Sequence, residues 1–494
     1  MTTSIQPINH YRSAYFLGIG GIGMSAIARY LLSMGLDVYG YDKTPTPLTN
    51  ELSQEGALIV FNDNENLIPS HLIGNTQVLW IITPAIPTDH RAWNYLKSLN
   101  TPIFKRSEVL GSIARNGFCI AVAGTHGKTT TSTLIAHLLY SCNVNFTAFL
   151  GGISANYNTN YVRNENGITL EIQGKKREII VLEADEFDRS FHRLNPDLAV
   201  ITAMDPDHLD IYGTEEEFTK AFNVFASLIR PQETQHSDSI ENNTVSNNNC
   251  ARGAGLVIHE KLTKEISIPT GIERITYGTE TTANSRYQGV NIAHGNYQFE
   301  YCSDSVNPVK FECGLPGFHN IENATAAIAI TQHFLKLPWK ELQEGILTYR
   351  GAKRRFETVF KNSEYVVIDD YAHHPEELNA IIRSVKALYP NFTLTGIFQP
   401  HLFTRTRDFV DGFAESLSQL DECWLMDIYP AREKPIPGIS SQWLLEKITT
   451  PAQIMNGPEI LSSLKENPKK LLLILGAGDI DKLVSPIKEI YSAL

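Results

Sequence analysis

The stretch AGTHGKTTT at residues 123–131 combines glycines, a lysine and hydroxyl side chains in an order that suits the phosphates of a nucleotide. Gly124 and Gly127 would allow a tight turn whose backbone N–H groups point at a phosphate. Lys128 would reach the β- and γ-phosphates, and the hydroxyl of Thr129 would bind Mg²⁺. These residue types therefore predict a site for a nucleoside triphosphate.

The segments on either side of this loop are those that a phosphate loop needs. The apolar run 119–123 predicts a buried strand before it, and leucines and an isoleucine at helical spacing predict a helix after it. Val122 stands where the general pattern has its first glycine, so the loop is compact and indicates a narrower family. The alternative to a phosphate loop is a plain glycine turn with a surface lysine. In the phosphate-loop interpretation we also expect the side chain of Lys128 to be exposed to solvent.

A second glycine loop follows the strand predicted at residues 14–18. Gly18, Gly20 and Gly23 form GxGxxG between this strand and a predicted helix, and Asp42 follows about twenty residues later. The first two glycines would admit a diphosphate, and the third would allow close helix packing. The alternative is that all three serve helix–strand packing alone.

Polar residues follow three further apolar runs. Thr83 comes after one, Glu183 after a second, and His208 shortly after a third. Ligands of parallel α/β sheets bind at the carboxyl ends of the strands, so these positions are candidates for a site. For His208 the alternative is a structural role beside the neighbouring aspartates. Asp185 and Glu186 are equally well explained as solvated residues at a strand end.

Alternating strands and helices predict an α/β protein, and a length of 494 residues predicts several domains. We expect an N-terminal Rossmann-like domain over residues 1–115 and a central ATPase-type domain with the phosphate loop over 116–349. A C-terminal Rossmann-like α/β domain over 350–494 completes the chain. In that domain a strand at 365–370 precedes a helix that begins at Pro375.

The composition restricts the partners and the compartment. A formal net charge of −12 disfavours nucleic acid and anionic membranes, so a phosphate-rich substrate would need local basic residues. The six cysteines have no CxxC spacing and are typical of reduced cytoplasmic thiols. The absence of a signal peptide and of a long apolar run predicts a soluble, cytoplasmic chain. The polar segment 231–252 is expected to be a mobile surface loop.

In this order the motifs resemble those of the Mur ligases of peptidoglycan synthesis, and the resemblance extends over nearly the whole chain. The segments that carry it are GIGGIGM at 18–24, GTHGKTTT at 124–131, EADE at 183–186, DHLD at 207–210, PGFHN at 316–320 with Asn323, RRFE at 354–357, DYAHHP at 370–375 and QPH at 399–401. Together these segments are far more specific than any one of them.

The resemblance implies an ATP-dependent ligase with UDP-N-acetylmuramate and L-alanine as substrates. A substrate carboxylate would take the γ-phosphoryl group of ATP, and the amine of L-alanine would then displace phosphate from the acyl phosphate. Several negative groups meet in such a site, which explains its need for cations placed in advance. ATP and Mg²⁺ are the implied cofactors, and we expect a monomer or a homodimer.

The resemblance also implies a role for single residues. The ATP-binding residues would be Gly124, Thr125, His126, Gly127, Lys128, Thr129, Thr130, His319, Asn320, Asn323 and Arg355. The UDP-sugar would contact Gly20, Gly21, Gly23, Asp42 and Thr83. Mg²⁺ would be held by Thr129, Glu183 and His208. L-alanine would contact Tyr371, His373, His401 and Arg405. The catalytic set would be Lys128, His208, His374 and Arg405.

Two of these assignments have alternatives. His319, Asn320 and Asn323 would contact the adenine, and helix capping is the other explanation for them. Of the neighbours Arg354 and Arg355, one would swing onto the ATP phosphates when the third domain closes, and a solvated basic turn is the other explanation.

Three residues depart from the family pattern. Ala203 replaces the usual asparagine before the acidic–histidine segment. Leu402 replaces an arginine frequent in close relatives, so recognition of a carboxylate would rest more heavily on Arg405. Phe222 stands where related ligases carry a carbamoylated lysine.

Three other interpretations remain open. A ligase that recycles a tripeptide is the nearest, although its first glycine loop is usually interrupted, whereas here GGIG at 20–23 is intact. A nicotinamide-dependent oxidoreductase would explain GxGxxG and Asp42 but not the phosphate loop. A non-catalytic nucleotide switch would not explain DYAHHP at 370–375.

Overall fold

The computed structural model describes residues 5–205, 209–231, 253–293, 296–304, 306–431 and 433–494. Asp207 and His208 lie outside the described residues, and so does the polar segment predicted as a mobile loop, from residue 232 to residue 252. Within the described part of the chain, no helix is long and apolar enough to cross a membrane.

Strands and helices alternate over much of the chain, as the apolar pattern predicts. In the described parts of residues 146–201 and 255–313, successive strands are separated only by loops and short 3-10 turns. The strands are β1 Ser13–Leu17, β2 Asp37–Tyr41, β3 Leu58–Val60, β4 Val78–Ile82, β5 Ile103–Lys105, β6 Phe118–Ala123, β7 Phe146–Phe149, β8 Tyr161–Asn164, β9 Glu171–Ile172, β10 Lys175–Lys176, β11 Ile179–Glu183, β12 Leu198–Ile201, β13 Gly255–His259, β14 Glu273–Gly278, β15 Ser285–Ala293, β16 Asn296–Ser303, β17 Val306–Cys313, β18 Glu357–Lys361, β19 Val366–Asp370, β20 Leu394–Phe398, β21 Glu422–Leu425, β22 Ala452–Ile454 and β23 Leu471–Leu475.

The helices lie between these strands. They are α1 Ile22–Ser33, α2 Pro47–Gln54, α3 Arg91–Ser98, α4 Arg106–Ala114, α5 Lys128–Ser141, α6 Leu209–Tyr212, α7 Glu215–Ser227, α8 Phe318–Ile328, α9 Trp339–Thr348, α10 Pro375–Leu388, α11 Phe403–Asp408, α12 Val410–Leu417, α13 Ser441–Leu445, α14 Gly457–Glu466 and α15 Val484–Ser492. Short 3-10 turns cover Ile8–His10, Glu65–Leu67, Ser70–Leu72, Ser190–Arg193, Glu260–Leu262 and Asp479–Leu483, and a π-helical segment covers Ala329–Phe334.

The chain divides into two compact units. The first comprises residues 1–286, 301–308 and 323–345. The second comprises residues 287–300, 309–322 and 346–494. Both glycine loops therefore belong to the first unit, and the predicted C-terminal domain belongs to the second. The division into three domains stays a prediction at this point.

The first sheet is parallel, and its strands lie in the order β3-β2-β1-β4-β5. The chain leaves β1 towards one edge and returns on the other side of β1 with β4, so β1 and β4 flank a topological switch point. Ligands of open α/β sheets bind at such a point. The loop after β1 carries the GxGxxG glycines and the loop after β4 carries Thr83, whose N–H donates to the carbonyl of Leu17 at 3.2 Å.

The second sheet of the first unit has β6 near its centre. The order through this unit is β14-β13-β12-β6-β11-β7-β8, and the pairs from β14 to β7 are parallel. All six residues of β6 are buried, because apolar residues cover both faces of the strand. The carboxyl ends of β11, β6 and β12 consequently meet at one edge, where the phosphate loop begins.

The second unit contains a sheet in the order β18-β19-β23-β20-β21-β22, in which only β18 pairs in the antiparallel sense among the described residues. The segments after β19, β20 and β23 therefore lie at the same edge. Strands β15, β16 and β17 follow one another side by side. The prediction of an α/β protein built on parallel sheets, with Rossmann-like and phosphate-loop parts, is confirmed.

Candidate functional site

The phosphate loop approaches its neighbours so closely that its glycines cannot carry a side chain. Gly124 has φ +134° and Gly127 has φ +79°, values that favour glycine. A Cβ atom on Gly124 would lie 2.2 Å from the hydroxyl of Thr202, and one on Gly127 would lie 2.5 Å from the side-chain oxygen of Asn323. Helix α5 starts directly after this loop, which gives the helix N-terminus and the loop N–H groups a shared anion-binding edge.

The predicted loop residues lie together. The N–H of Thr125 donates to the carbonyl of Ala203 at 3.1 Å, and its hydroxyl accepts from the N–H of Asp205 at 3.1 Å. His126 lies 3.7 Å from the carboxylate of Asp205, and Thr130 is buried on α5. Because Ala203 contributes only its backbone to this contact, its departure from the family pattern does not alter it.

Lys128 is largely shielded from water, so the expectation that it is exposed is wrong. Its side chain is 14% exposed, and its Nζ donates to Glu186 Oε1 at 2.9 Å and to the carbonyl of Gly124 at 2.5 Å. The ammonium folds back along the loop because these acceptors lie within its reach. Burial by itself lowers the pKa of Lys128, but the carboxylates of Glu186, Glu183 and Asp185 outweigh that effect and raise it. The lysine is therefore held as a cation.

Glu186 is consequently a site residue, although the sequence explains it equally well as a solvated strand end. Its side chain is 3% exposed, and burial raises its pKa while Lys128 opposes that shift. Tyr212 donates to the backbone carbonyl of Glu186 at 2.5 Å and fixes the segment. Only the approach of α5 to the end of β11 reveals this role.

Thr129 and Glu183 place two side-chain oxygen atoms next to each other. The hydroxyl of Thr129 donates to Glu183 Oε2 at 2.9 Å, at the carboxyl end of β11. A Cβ atom on Gly151 would lie 1.9 Å from the same carboxylate oxygen, so the carboxylate occupies space that only glycine leaves free. Adjacent hydroxyl and carboxylate oxygens fit Mg²⁺, which prefers oxygen ligands and retains several waters. His208, the third predicted metal ligand, lies outside the described residues.

The GxGxxG loop is also built by close contacts. The N–H of Gly20 donates to Asp42 Oδ2 at 2.7 Å. Gly18 has φ +90°, and a Cβ on it would lie 2.4 Å from the methyl group of Thr83. The structure therefore places Asp42 against Gly20 and Thr83 against Gly18, and their assignment to the UDP-sugar stays a prediction. A Cβ on Gly21 would make only ordinary van der Waals contacts, the nearest with the carbonyl oxygen of Gly18 at 3.8 Å.

The third glycine of the motif has a neighbour that sequence reasoning missed. A Cβ on Gly23 would lie 2.9 Å from Nη1 of Arg106, the first residue of α4. Arg106 in turn pairs with Asp185 at 3.3 Å. No motif marks this arginine, and only the packing of α4 against the glycine loop reveals it.

The asparagines predicted for the adenine contact the protein itself. In the first unit, Asn323 accepts a hydrogen bond from the hydroxyl of Thr131 at 3.2 Å. In the second unit, the side chain of Asn320 donates to the carbonyl of Pro316 at 2.6 Å. His319 is largely buried, and burial, with Arg355 nearby, lowers its pKa to about 4. Its Nδ1 is buried without a hydrogen-bond partner in the described part of the chain, as in a site that a ligand completes.

The two arginines at the start of the C-terminal segment are held differently. Arg354 donates to Asp369 at 3.2 Å and to the carbonyl of Gly476 at 2.6 Å. Arg355 is 30% exposed, lies 4.9 Å from the ring of Tyr371 and is 3.7 Å from Glu377. Arg354 therefore makes short hydrogen bonds within the second unit, whereas the contacts of Arg355 with Glu377 and Tyr371 are longer.

The residues predicted for the amino acid lie around the ends of β19 and β20. His373 Nδ1 lies 2.9 Å from the carbonyl of Tyr371, and its ring centroid is 6.1 Å from that of His401. Burial lowers the pKa of both histidines to about 4, and the nearby Arg405 contributes to the shift. Both imidazoles are therefore neutral at pH 7. Arg405 itself is 8% exposed, so its cation is well shielded from water.

His374, Leu402 and Phe222 have distinct surroundings. His374 is the N-cap residue of α10, and its ring packs on Phe409 at 4.7 Å. Leu402 has φ +71° directly before α11, a conformation that leucine rarely adopts. Phe222 is fully buried and lies 5.3 Å from the ring of Phe191. It therefore serves the hydrophobic core of the first unit.

Comparison with known proteins gives a consistent family. Models of the Mur ligase family match three successive segments, described as the catalytic domain at residues 13–117, the middle domain at 122–331 and the glutamate ligase domain at 354–481. The UDP-N-acetylmuramate--L-alanine ligase of Flavobacterium johnsoniae is 43% identical over 98% of this chain and 99% of its own length. The enzyme of that name from Parabacteroides distasonis is 43% identical over 98% of both chains.

A solved structure is also similar to this chain over nearly its whole length. The crystal structure of UDP-N-acetylmuramate-alanine ligase from Thermotoga maritima has a TM-score of 0.76 and 25% identity. The match covers 97% of this chain and 99% of that one.

The Lys128–Glu186 pair yields a test that separates binding from stability. Lys128→Ala should weaken binding of an ATP analogue at least ~10-fold, because a charge aimed at phosphate is lost. It should also lower the melting temperature, since Glu186 is left buried and unpaired. In the double variant with Glu186→Gln, the melting temperature should largely recover while the weak binding persists. Titration calorimetry and thermal melts measure both. Wild-type ATP-analogue affinity in a folded Lys128→Ala variant would exclude the assignment.

Proposed function

The chain belongs to the Mur ligase family, and on that premise we propose that it joins L-alanine to the carboxylate of UDP-N-acetylmuramate and converts ATP to ADP and phosphate in doing so. The observation that carries the proposal is the 43% identity to enzymes of that activity over 98% of the chain. The Lys128–Glu186 and Thr129–Glu183 pairs support an ATP site at the carboxyl end of β6.

We further propose three domains with one substrate each. Residues 1–115 would hold the UDP-sugar, residues 116–349 would hold ATP, and residues 350–494 would hold L-alanine. The three family matches, at 13–117, 122–331 and 354–481, support these limits.

The first chemical step transfers the γ-phosphoryl group of ATP to the sugar carboxylate. A carboxylate oxygen forms the new bond to phosphorus as the bond to the ADP oxygen breaks. The loop N–H groups and Lys128 would bind the phosphate oxygens, where negative charge is greatest. Because Lys128 is tied to Glu186 and to loop carbonyls, it would have to exchange part of these contacts for phosphate oxygens.

Thr129 and Glu183 would hold Mg²⁺, together with His208 in the part of the chain that the structure does not describe. When bound, Mg²⁺ supplies positive charge to the phosphates and lowers the repulsion between the two anionic substrates. The 2.9 Å contact between the hydroxyl of Thr129 and the carboxylate of Glu183 supports this pairing of ligands.

The second step forms the amide. The amine of L-alanine attacks the carbonyl carbon of the acyl phosphate, phosphate leaves, and the amine loses a proton. Arg405 would clamp the carboxylate of L-alanine through its forked donors. His373 donates from Nδ1 to the carbonyl of Tyr371, so its Nε2 is free of that bond and, being neutral, is able to accept a hydrogen bond from the amine. Arg355 would join the ATP phosphates.

We propose that the enzyme works in the cytoplasm, because its cysteines are typical of reduced thiols and its nucleotide substrates occur there. It would act as a monomer or a homodimer.

One assay tests the function against its alternatives. Purified enzyme is incubated with ATP, Mg²⁺ and UDP-N-acetylmuramate, and ADP release is measured with L-alanine, with glycine, with L-serine and with a tripeptide. We expect release with L-alanine to exceed that with the others. Preference for the tripeptide would indicate the recycling ligase, and consumption of NADH at 340 nm without ADP release would indicate an oxidoreductase.

Gly21 provides a test of the sugar site that leaves the fold intact. Its φ of −67° and ψ of 145° suit any residue, and a Cβ there meets no atom closer than 3.8 Å. Gly21→Val should therefore raise the KM for UDP-N-acetylmuramate ~10-fold or more, because the side chain would block the approach of the diphosphate. The KM for ATP should stay within about twofold. Equal changes in both KM values would place the diphosphate elsewhere.

Arg405 is the predicted carboxylate clamp for L-alanine. Arg405→Lys keeps the charge but removes the fork, so the KM for L-alanine should rise at least ~10-fold while the KM values for ATP and the UDP-sugar stay within about twofold. Arg407→Lys is the matched control, because Arg407 lies on the same helix, is half exposed and pairs with Asp408 at 2.7 Å. An unchanged KM for L-alanine in Arg405→Lys would place the clamp elsewhere, for example at His401.

A further inference from the structure

We propose that Arg106 binds the diphosphate of the UDP-sugar, an inference that rests on the proposed function and adds a binding residue to it. Arg106 begins α4, directly after β5 of the first sheet. The net charge of −12 gives no general attraction for a phosphate-rich substrate, so a local cation is required at the glycine loop.

The position of the guanidinium supports this role. A Cβ on Gly23 would lie 2.9 Å from Nη1, 3.1 Å from Cδ and 3.3 Å from Cζ of Arg106. The arginine side chain therefore lies directly against the third glycine of the GxGxxG loop. Because Gly23 has no side chain, the guanidinium of Arg106 fits beside it, and Gly23 is able to serve helix packing as well.

The electrostatic environment of Arg106, next to the N-terminus of α1, favours a bound anion. Gly23 lies in the first turn of α1, a helix of 12 residues that, among the described side chains, has no cap at Gly21. The helix N-terminus carries partial positive charge, so a guanidinium beside it is disfavoured unless an anion interacts with both. Asp185 is 3.3 Å from the guanidinium but 41% exposed, so water screens much of its charge.

The later part of the glycine loop is where such an anion would bind. The carboxylate of Asp42 occupies the N–H of Gly20, which leaves the later part of the loop, from Gly21 to Gly23, for a ligand. A Cβ on Gly21 would meet no atom closer than 3.8 Å, an ordinary van der Waals contact, so no protein atom crowds the backbone there. A diphosphate here would meet the helix N-terminus on one side and the forked donors of Arg106 on the other.

Arg106 also connects the two substrate sites of the first unit. Its partner Asp185 directly precedes Glu186, which holds the ammonium of Lys128 at 2.9 Å. A sugar nucleotide bound by Arg106 at the glycine loop is therefore held next to the strand end that carries the ATP-site carboxylates. Arg106 would bind and position the UDP-sugar, whereas Lys128 would bind the phosphoryl group that is transferred.

The test is direct binding, measured by titration calorimetry with UDP-N-acetylmuramate and with UDP-N-acetylglucosamine. The second ligand shares the diphosphate but lacks the lactyl carboxylate. Arg106→Gln should weaken both ligands at least ~10-fold, because a forked, charge-assisted contact is lost. Affinity for an ATP analogue should stay within about twofold. Weakening of UDP-N-acetylmuramate alone would assign Arg106 to the carboxylate and overturn the diphosphate assignment.

Matched variants separate ligand binding from a merely structural ion pair. Arg91→Gln is the control. Arg91 is the first residue of α3, as Arg106 is of α4, but it is 61% exposed and pairs with Glu65. Both UDP-sugar affinities should be unchanged in this variant. Asp185→Asn removes the same ion pair while keeping the arginine, so it should retain or strengthen UDP-sugar binding. If Asp185→Asn instead weakens both ligands as much as Arg106→Gln does, the pair is structural and the proposal fails.

The wild-type enzyme distinguishes this inference from the proposed function. If it binds both UDP-sugars but releases no ADP with L-alanine, the proposed function fails, and the effect of Arg106→Gln on binding still decides the assignment. If it binds and ligates normally but Arg106→Gln binds both ligands with wild-type affinity, only the assignment of Arg106 is overturned. If it binds neither UDP-sugar, both are overturned.

Discussion

The parallel pairing of β6 with β11 and β12 is the constraint on which the ATP site depends. In this register Val122 lies opposite both Glu183 and Val200, so the three strands end together. The phosphate loop, the carboxylates after β11 and Thr202 after β12 therefore meet at one edge. A slip of one residue along β11 would turn Glu183 to the other face of the sheet and separate it from Thr129.

Close approach is the second constraint, and it explains glycines far apart in the chain. Gly124, Gly127 and Gly151 each face an atom that a Cβ would meet at 2.5 Å or less. These atoms belong to Thr202, Asn323 and Glu183, which come from different strands and helices. Packing of these elements brings polar atoms close to the backbone, where an ATP phosphate and Mg²⁺ would need them. As a consequence, replacing any of these glycines with a larger residue would displace a residue of the candidate site.

Burial controls the charge state of the C-terminal unit. His319, His373 and His401 all have pKa values lowered to about 4, mainly by burial, and are neutral at pH 7. The positive charge near these histidines therefore comes from arginines. Arg354 pairs with Asp369 at 3.2 Å, and Arg355 pairs with Glu377 at the longer distance of 3.7 Å. An amino acid with both an ammonium and a carboxylate would thus meet neutral acceptors and a separate cation, which keeps its two ends distinguishable.

The sequence by itself determined the α/β class, both glycine loops with the strands that precede them, and the family. Local signals suffice for these, because glycine turns, apolar runs and the lysine–threonine pair act within a few residues. Strands β15 to β17 were not predicted, since many of their residues are partly exposed and give no apolar run. Tertiary structure alone decided that Lys128 pairs with the buried carboxylate of Glu186, that Arg354 has a shorter ion pair than Arg355, and that Arg106 lies against Gly23. These contacts join residues from separate strands and helices, and a side chain's burial and charge depend on what packs around it in space.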